Sequence, residues 1–273
     1  MSADFDVKRY KFISDKVTDP MTFAFLADLH SAEHGPGNED LIRAVREANP
    51  DAILIPGDIL VGNRTVKVTE TVALMQRMRE IAPVYFSNGN HCTNLRLFLP
   101  KYYRRLMKGF RSAGVTVLNN RHTETEIGGN RICIYGLELH KERYRKLRIP
   151  RMPEEEVEES LGICDRDVFT ILLAHNPQFA KRYFEWGADL VVAGHFHGGV
   201  MRLFGSRVLI SPYGIPFPKY GYGAYEHGTQ HMVVTSGLGE HTIPFRIHNP
   251  MEIVVIRVEG PGSQSTMKMQ DPM

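Results

Sequence analysis

Five short polar motifs in this sequence each stand directly after an apolar run. They are Asp28-Leu29-His30, Gly57-Asp58, Gly89-Asn90-His91, His175, and Gly194-His195-Phe196-His197. The runs before them are short and rich in branched or aromatic residues, as in Thr22–Ala27 (TFAFLA) and Ala52–Ile55 (AILI), which predicts buried strands. Helical periodicity fills the intervals. One helix is expected from an N-cap at Asn38 to about Ala48, one from Thr65 to Ala82, and one from Arg96 to Ala113 after a third strand at Val84–Phe86. Strands alternating with helices imply a mostly parallel sheet covered by helices. The carboxyl ends of such strands gather along one edge, so five segments far apart in the chain can converge on one point.

The second half is richer in strands, expected at Arg131–Leu137, Val168–Leu173, Leu190–Ala193, Arg207–Ile210, His231–Thr235 and Met251–Val258. One domain over residues 1–258 is the expected organisation, with its core from about residue 22 and a charged insertion at about 140–167. From Gly260 onward Gly, Pro, Ser and Gln replace apolar residues, so residues 259–273 are read as a flexible tail.

The formal net charge of +2 gives no ground for a nucleic-acid binder. Cys92, Cys133 and Cys164 are odd in number and lack a CxxC spacing, which argues against a disulfide framework and against structural zinc. Met1 to Pro20 is charged throughout and has no apolar export segment. No stretch approaches the roughly 18 apolar residues of a membrane span, so a cytoplasmic location is expected. The oligomeric state is left open.

Carboxylate, amide oxygen and imidazole are the donors that manganese, iron or zinc accept, and one Asp can bridge two cations through its two oxygens. The Gly before Asp58, Asn90 and His195 is read as allowing a sharp turn after each strand. Taken singly, Asp-x-His is more simply read as a capped turn or solvated loop, and Gly-Asp is weaker still. Gly-His-x-His after DLVVA is more specific, because paired imidazoles two residues apart on a loop suit a metal.

In this order the motifs D-x-H, G-D, G-N-H, H and G-H-x-H resemble the calcineurin-like metallophosphoesterase superfamily over about Thr22 to Val258. GHFHGG, the later YGYGAY, and SGLGEHTIPFRIHNPMEIVVI resemble its YkuE/YaeI-type branch of bacterial phosphodiesterases. The resemblance implies an α/β fold, a four-layer α/β/β/α sandwich with two central mixed β-sheets. It also implies two divalent metal ions, manganese first, with iron, zinc, nickel or magnesium as alternatives. Asp28, His30 and His197 would hold one metal, Asn90, His175 and His195 the other, and Asp58 would bridge them. His91 would be catalytic, pointing at the phosphate, and a metal-bound hydroxide would be the nucleophile. The chain departs from the family at Ala27, often Ser, at Cys92, usually Asp or Glu, and at Val200, often Gln. Val61, where protein phosphatases carry Asp, argues against that branch.

The implied activity is hydrolysis of a phosphodiester or pyrophosphate. The alternatives are a phosphomonoesterase on a small metabolite and a non-catalytic metal-binding interaction scaffold. The expected partner is a phosphate-ester substrate and no nucleic acid; peripheral membrane or lipid-linked substrate contact stays open. Lys141 to Arg151 carries six basic residues, and five glutamates follow from Glu154 to Glu159. Either this is a basic lid over the site, including Arg143, Arg145, Lys146 and Arg148, or the two charge runs pair with each other, which is the simpler reading. Ser211 to Gly228, rich in Tyr, Phe, Gly and Pro, is either a pocket rim or a packed irregular loop. Lys101, Arg104, Arg105, Lys108 and Arg111 are read as the solvated face of one helix.

Overall fold

The apolar runs form strands because alternate side chains can be buried on opposite faces of a sheet. The computed structural model describes residues 4–61, 66–145, 151–199, 201–203, 207–211, 214, 216–240 and 246–262. Its elements are β1 (Phe5–Ile13), β2 (Met21–Phe25), α1 (Glu39–Glu47), β3 (Ala52–Ile55), α2 (Val68–Arg79), β4 (Val84–Phe86), α3 (Asn90–Phe98), α4 (Pro100–Ser112), β5 (Thr116–Val117), β6 (Arg121–Ile127), β7 (Asn130–Leu137), α5 (Glu156–Leu161), β8 (Phe169–Ala174), α6 (Ala180–Trp186), β9 (Leu190–Ala193), β10 (Arg202–Leu203), β11 (Arg207–Val208), β12 (Gly223–His227), β13 (Gln230–Val234) and β14 (Met251–Glu259).

Two six-stranded sheets result, ordered β1-β14-β2-β3-β4-β5 and β12-β13-β9-β8-β7-β6. Both are mixed. β2, β3, β4 and β5 run parallel, and β14 enters antiparallel to β2. In the other sheet β7, β8, β9 and β13 are parallel, with β6 and β12 antiparallel at the edges.

The four-layer order follows from side-chain alternation. Phe23 and Phe25 of β2 point at the second sheet, where they meet Ile171, Leu173, Val192 and Val233. Ala24 and Leu26 point the other way, onto Leu41 and Val45 of α1, Met75 of α2 and Phe110 of α4. On the far side, Leu172, Val191 and Met232 pack against Val157 of α5 and Tyr183 of α6. Among the described residues no helix is long and apolar enough to cross a membrane.

Several local expectations differ from the structure. The helix read as Arg96–Ala113 is two: α3 begins at Asn90, and Pro100 at the first position of α4 starts a new axis after Leu99. Asn38 precedes α1 but does not cap it; its Oδ1 accepts the backbone N–H of His34 at 3.1 Å instead. The segment before Pro20 forms β1, and Glu259 closes β14. The run at Arg207–Ile210 is only a two-residue strand, paired with β10 in a small hairpin. Thr65, Lys146, Arg148, Val200 and residues 263–273 lie outside the described residues.

Candidate metal centre

Each motif residue sits just past the carboxyl end of a parallel strand. Asp28 and His30 follow β2, Asp58 follows β3, Asn90 and His91 open α3 after β4, His175 follows β8, and His195 and His197 follow β9. The first sheet thus contributes Asp28, His30, Asp58, Asn90 and His91, and the second contributes the three remaining histidines.

These side chains converge. Three groups of donors each fall within 4.8 Å of one another: Asp28 with His30 and His197, His30 with Asp58 and His91, and Asp58 with His175 and His195. The first two groups share His30 and the last two share Asp58, so they form one continuous cluster. Nε2 of His30 lies 3.1 Å from Nε2 of His197. Two nitrogens bound to one cation at about 2.1 Å and at right angles would be about 3.0 Å apart. Nε2 of His175 lies 2.9 Å from Asp58 Oδ2 and 3.6 Å from Asp28 Oδ1. Asn90 is the first residue of α3, and its Oδ1 is buried without a hydrogen-bond partner among the described residues. Asp28 Oδ1 is orphaned in the same way. Two buried oxygens that accept nothing are costly unless a cation or donor completes them, so the donor set fits divalent metal ions.

The local backbone is unusual. Asp28 (φ 53°), His30 (φ 49°), Asp58 (φ 52°), His195 (φ 66°) and His197 (φ 50°) are all left-handed. Non-glycine residues held there cost about 1–3 kcal/mol each and persist where the surroundings over-determine them. The glycines before Asn90 and His195 serve close approach rather than a turn. A Cβ on Gly89 would lie 2.2 Å from Asp58 Oδ1, and one on Gly194 would lie 2.4 Å from Asp28 Oδ2. Hydrogen bonds stitch the loops together. Asp28 Oδ2 accepts the N–H of His195 at 2.8 Å, and the N–H of His30 donates to the carbonyl of Asp58 at 3.1 Å.

Burial and charge oppose each other at the two carboxylates. Burial pushes Asp28 up to about 7, against the pull of His175 and with the push of Asp58. Burial also raises Asp58, but His175, His91 and His30 outweigh it and hold that carboxyl well below its ordinary range. Burial lowers His175, and the two aspartates outweigh it and raise it.

Two further residues belong to this region without a motif to announce them. Glu138 follows β7 at the same sheet edge and accepts from Asn88 Nδ2 at 3.1 Å and Thr93 Oγ1 at 3.0 Å, which braces the loop carrying Asn90 and His91. Its position after a predicted strand was the available signal. Tyr144 stands edge-on to His195, ring centroids 5.0 Å apart; it comes from the charged insertion, where no periodicity points to it. A cleft of about 410 Å³ opens beside the cluster, lined by Asn90, His91, Asn94, Lys141, Glu142, Tyr144 and Arg145. The insertion divides there: Arg143 pairs with Glu156 and Arg145 with Glu142, whereas Lys141 lines the cleft with no ion pair among the described residues.

Residues 21–199 match the calcineurin-like phosphoesterase family model. Among curated relatives, uncharacterized protein YpbG of Bacillus subtilis is 25% identical over 89% of this chain and 82% of its own. Phosphodiesterase YaeI of Escherichia coli is 26% identical over 85% of this chain and 79% of its own. A transmembrane protein with metallophosphoesterase domain from Danio rerio is 31% identical over 79% of this chain and 47% of its own. In fold, the chain is similar to a 5'-nucleotidase precursor from Thermus thermophilus, with a TM-score of 0.51 at 16% identity over 81% of this chain and 49% of that one. With its family match over most of its length, its two-sheet sandwich and its Asp/His cluster, the chain belongs to the calcineurin-like phosphoesterases, hydrolases of phosphoric esters that depend on a dinuclear metal site.

Proposed function

We propose that this chain is a phosphodiesterase or pyrophosphate hydrolase, with manganese as its first-choice metal. Asp28, His30 and His197 would hold one cation, Asn90, His175 and His195 would hold the second, and Asp58 would be shared between them. The observation that carries this reading is the convergence of donors from five strand ends into one buried cluster with two orphaned oxygens. Two cations held there would neutralise charge on the phosphoryl oxygens and activate a water.

The chain's own residues do the rest. His91 lies beside Asp58 and His30 and lines the cleft, where it can donate a proton to the leaving oxygen or a hydrogen bond to the phosphoryl group. Its position is fixed through its backbone N–H on Asp58. Glu138, Asn88 and Thr93 hold the loop that presents it. The cleft beside His91 gives room for a substituent on the ester, which favours a diester over a bare monoester.

The test is a comparison of two chromogenic esters, bis(4-nitrophenyl) phosphate and 4-nitrophenyl phosphate, with added Mn²⁺, alongside metal analysis of the purified protein. Preferential hydrolysis of the diester is expected, with two divalent ions per chain. Preference for the monoester would replace the diesterase reading. Fewer than one ion per chain, not restored by Mn²⁺, would favour a binding scaffold.

A further inference from the structure

One corner of the molecule exposes apolar side chains that no packing among the described residues covers. Phe98 is 71% exposed, Leu97 47% and Tyr102 43%, all where α3 gives way to α4. The corner exists because Pro100 begins α4 and Leu99, at φ −134°, turns the chain between the two axes. α4 reads PKYYRRLMKGFRS, with Lys101, Arg104, Arg105, Lys108 and Arg111 and no acidic residue. Its inner face is Leu106, Met107 and Phe110, so the five cations lie outward and are exposed. Among the described residues none of the five is ion-paired.

A solvated face would account for the cations but not for Phe98 and Leu97 beside them. A single-stranded nucleic acid could use the cations and stack on Phe98 or Tyr102, but it would leave the exposed aliphatic Leu97 without a role. Basic residues flanking a protruding apolar tip are the composition of an interfacial anchor, which combines burial at the acyl boundary with attraction to lipid phosphates.

The corner is also aligned with the cleft. Asn90, Asn94 and Phe98 stand four residues apart on α3 and so share one strip of that helix. Asn90 and Asn94 line the cleft, and Phe98 lies about 12 Å from Asn90 along the axis. Exposed Lys141 adds positive charge at the cleft itself, where Arg145 is paired with Glu142 at 2.6 Å.

We propose that the α3–α4 corner docks on an anionic phospholipid bilayer, with Leu97 and Phe98 entering the acyl boundary and the outer face of α4 lying against the headgroups. Docking does not require hydrolysis. The corollary that the substrate is a phosphate ester of a membrane amphiphile rests on the phosphodiesterase function proposed for the cleft.

Vesicle flotation of the full chain in EDTA, where turnover plays no part, tests the docking. Vesicles of phosphatidylcholine are compared with vesicles containing phosphatidylglycerol. The protein should float with the anionic vesicles, less so in high salt, and hardly at all with the neutral ones. Leu97→Ser/Phe98→Ser, and separately Lys101→Gln/Arg104→Gln/Lys108→Gln, should each reduce partitioning by about tenfold or more. These side chains are exposed, so the folded state is not at risk. Failure to float with anionic vesicles overturns the proposal. So does flotation that the apolar pair does not affect, or an equal loss of vesicle binding to competing single-stranded RNA, which would mark a general polyanion surface. A chain that floats yet hydrolyses no ester would keep the docking and refute the enzymatic reading.

Discussion

The carboxylate of Asp58 accepts the backbone N–H of His91 at 2.9 Å. The carboxylate proposed to bridge the two metals is therefore also the anchor of the first turn of α3. The other oxygen of Asp58 faces His175 from the second sheet, 2.9 Å away. One side chain thus links both halves of the sandwich.

Asp58→Asn separates those roles. The amide oxygen can still accept the His91 N–H, but the amide nitrogen cannot serve as the second bridging oxygen. Both metals should weaken together, and metal analysis should fall from two ions per chain to below one. Circular dichroism should stay unchanged. Loss of a single ion, with the other held at full occupancy, would contradict the bridge.

His91→Ala should leave the metal content near two ions, because the remaining donors stay in place. The rate on a diester should fall by about 10²–10⁴-fold if the imidazole acts as acid or hydrogen-bond donor. Near-normal turnover would remove that role. Loss of metal would instead make His91 a ligand, in keeping with its grouping with His30 and Asp58.

Metal removal should destabilise the chain. Buried Asp28 and Asp58 then confront each other without a cation, at the centre of five left-handed loop residues. At a metal concentration about 100-fold above Kd, binding contributes about 2.7 kcal/mol, or roughly 5–10 °C in Tm for a chain of this size. Differential scanning fluorimetry with EDTA and with added Mn²⁺ reads the shift directly, and an unchanged Tm would argue against a resident metal.

Glu252 provides a pH test away from the metals. It is buried and accepts from Tyr222 OH at 2.7 Å, Thr235 Oγ1 at 3.0 Å and the Ser236 N–H at 3.1 Å. Burial raises its pKa against the opposing pull of those hydrogen bonds. The folded state therefore holds the proton at pH values where the unfolded carboxyl, near about 4.3, has lost it. The unfolded state binds fewer protons in that window, so stability falls as pH rises through it. From about pH 4 to about pH 8 the wild type should lose more Tm than Glu252→Gln, which has no proton to release. Parallel pH profiles would show that Glu252 does not titrate on unfolding.

The convergence of the Asp and His side chains was legible because they follow runs such as TFAFLA or DLVVA, whose apolar residues are buried in the sheets. What escaped has physical reasons. β1 and β6 are edge strands; within β1 only Phe5 and Phe12 are buried, so no apolar run marks it. The break between α3 and α4 was hidden because Leu95, Leu106 and Phe110 keep helical periodicity across Pro100. Glu138 and Tyr144 act through partners from other elements, Asn88 and Thr93 for one and His195 for the other, and no spacing within the sequence encodes such pairings.

The seating of β14 between β1 and β2 bears on how the chain is made. β1 pairs with β14 from Phe5↔Met251 to Ile13↔Glu259, and β14 also pairs with β2. β1 and β2 therefore have no neighbour between them until β14, far along the chain, has left the ribosome. The first sheet closes late and through very long loops, a topology that folds slowly. Until then β2, with Phe23 and Phe25, is an open edge, and a nascent chain stalled short of Met251 would offer that edge to another copy of itself.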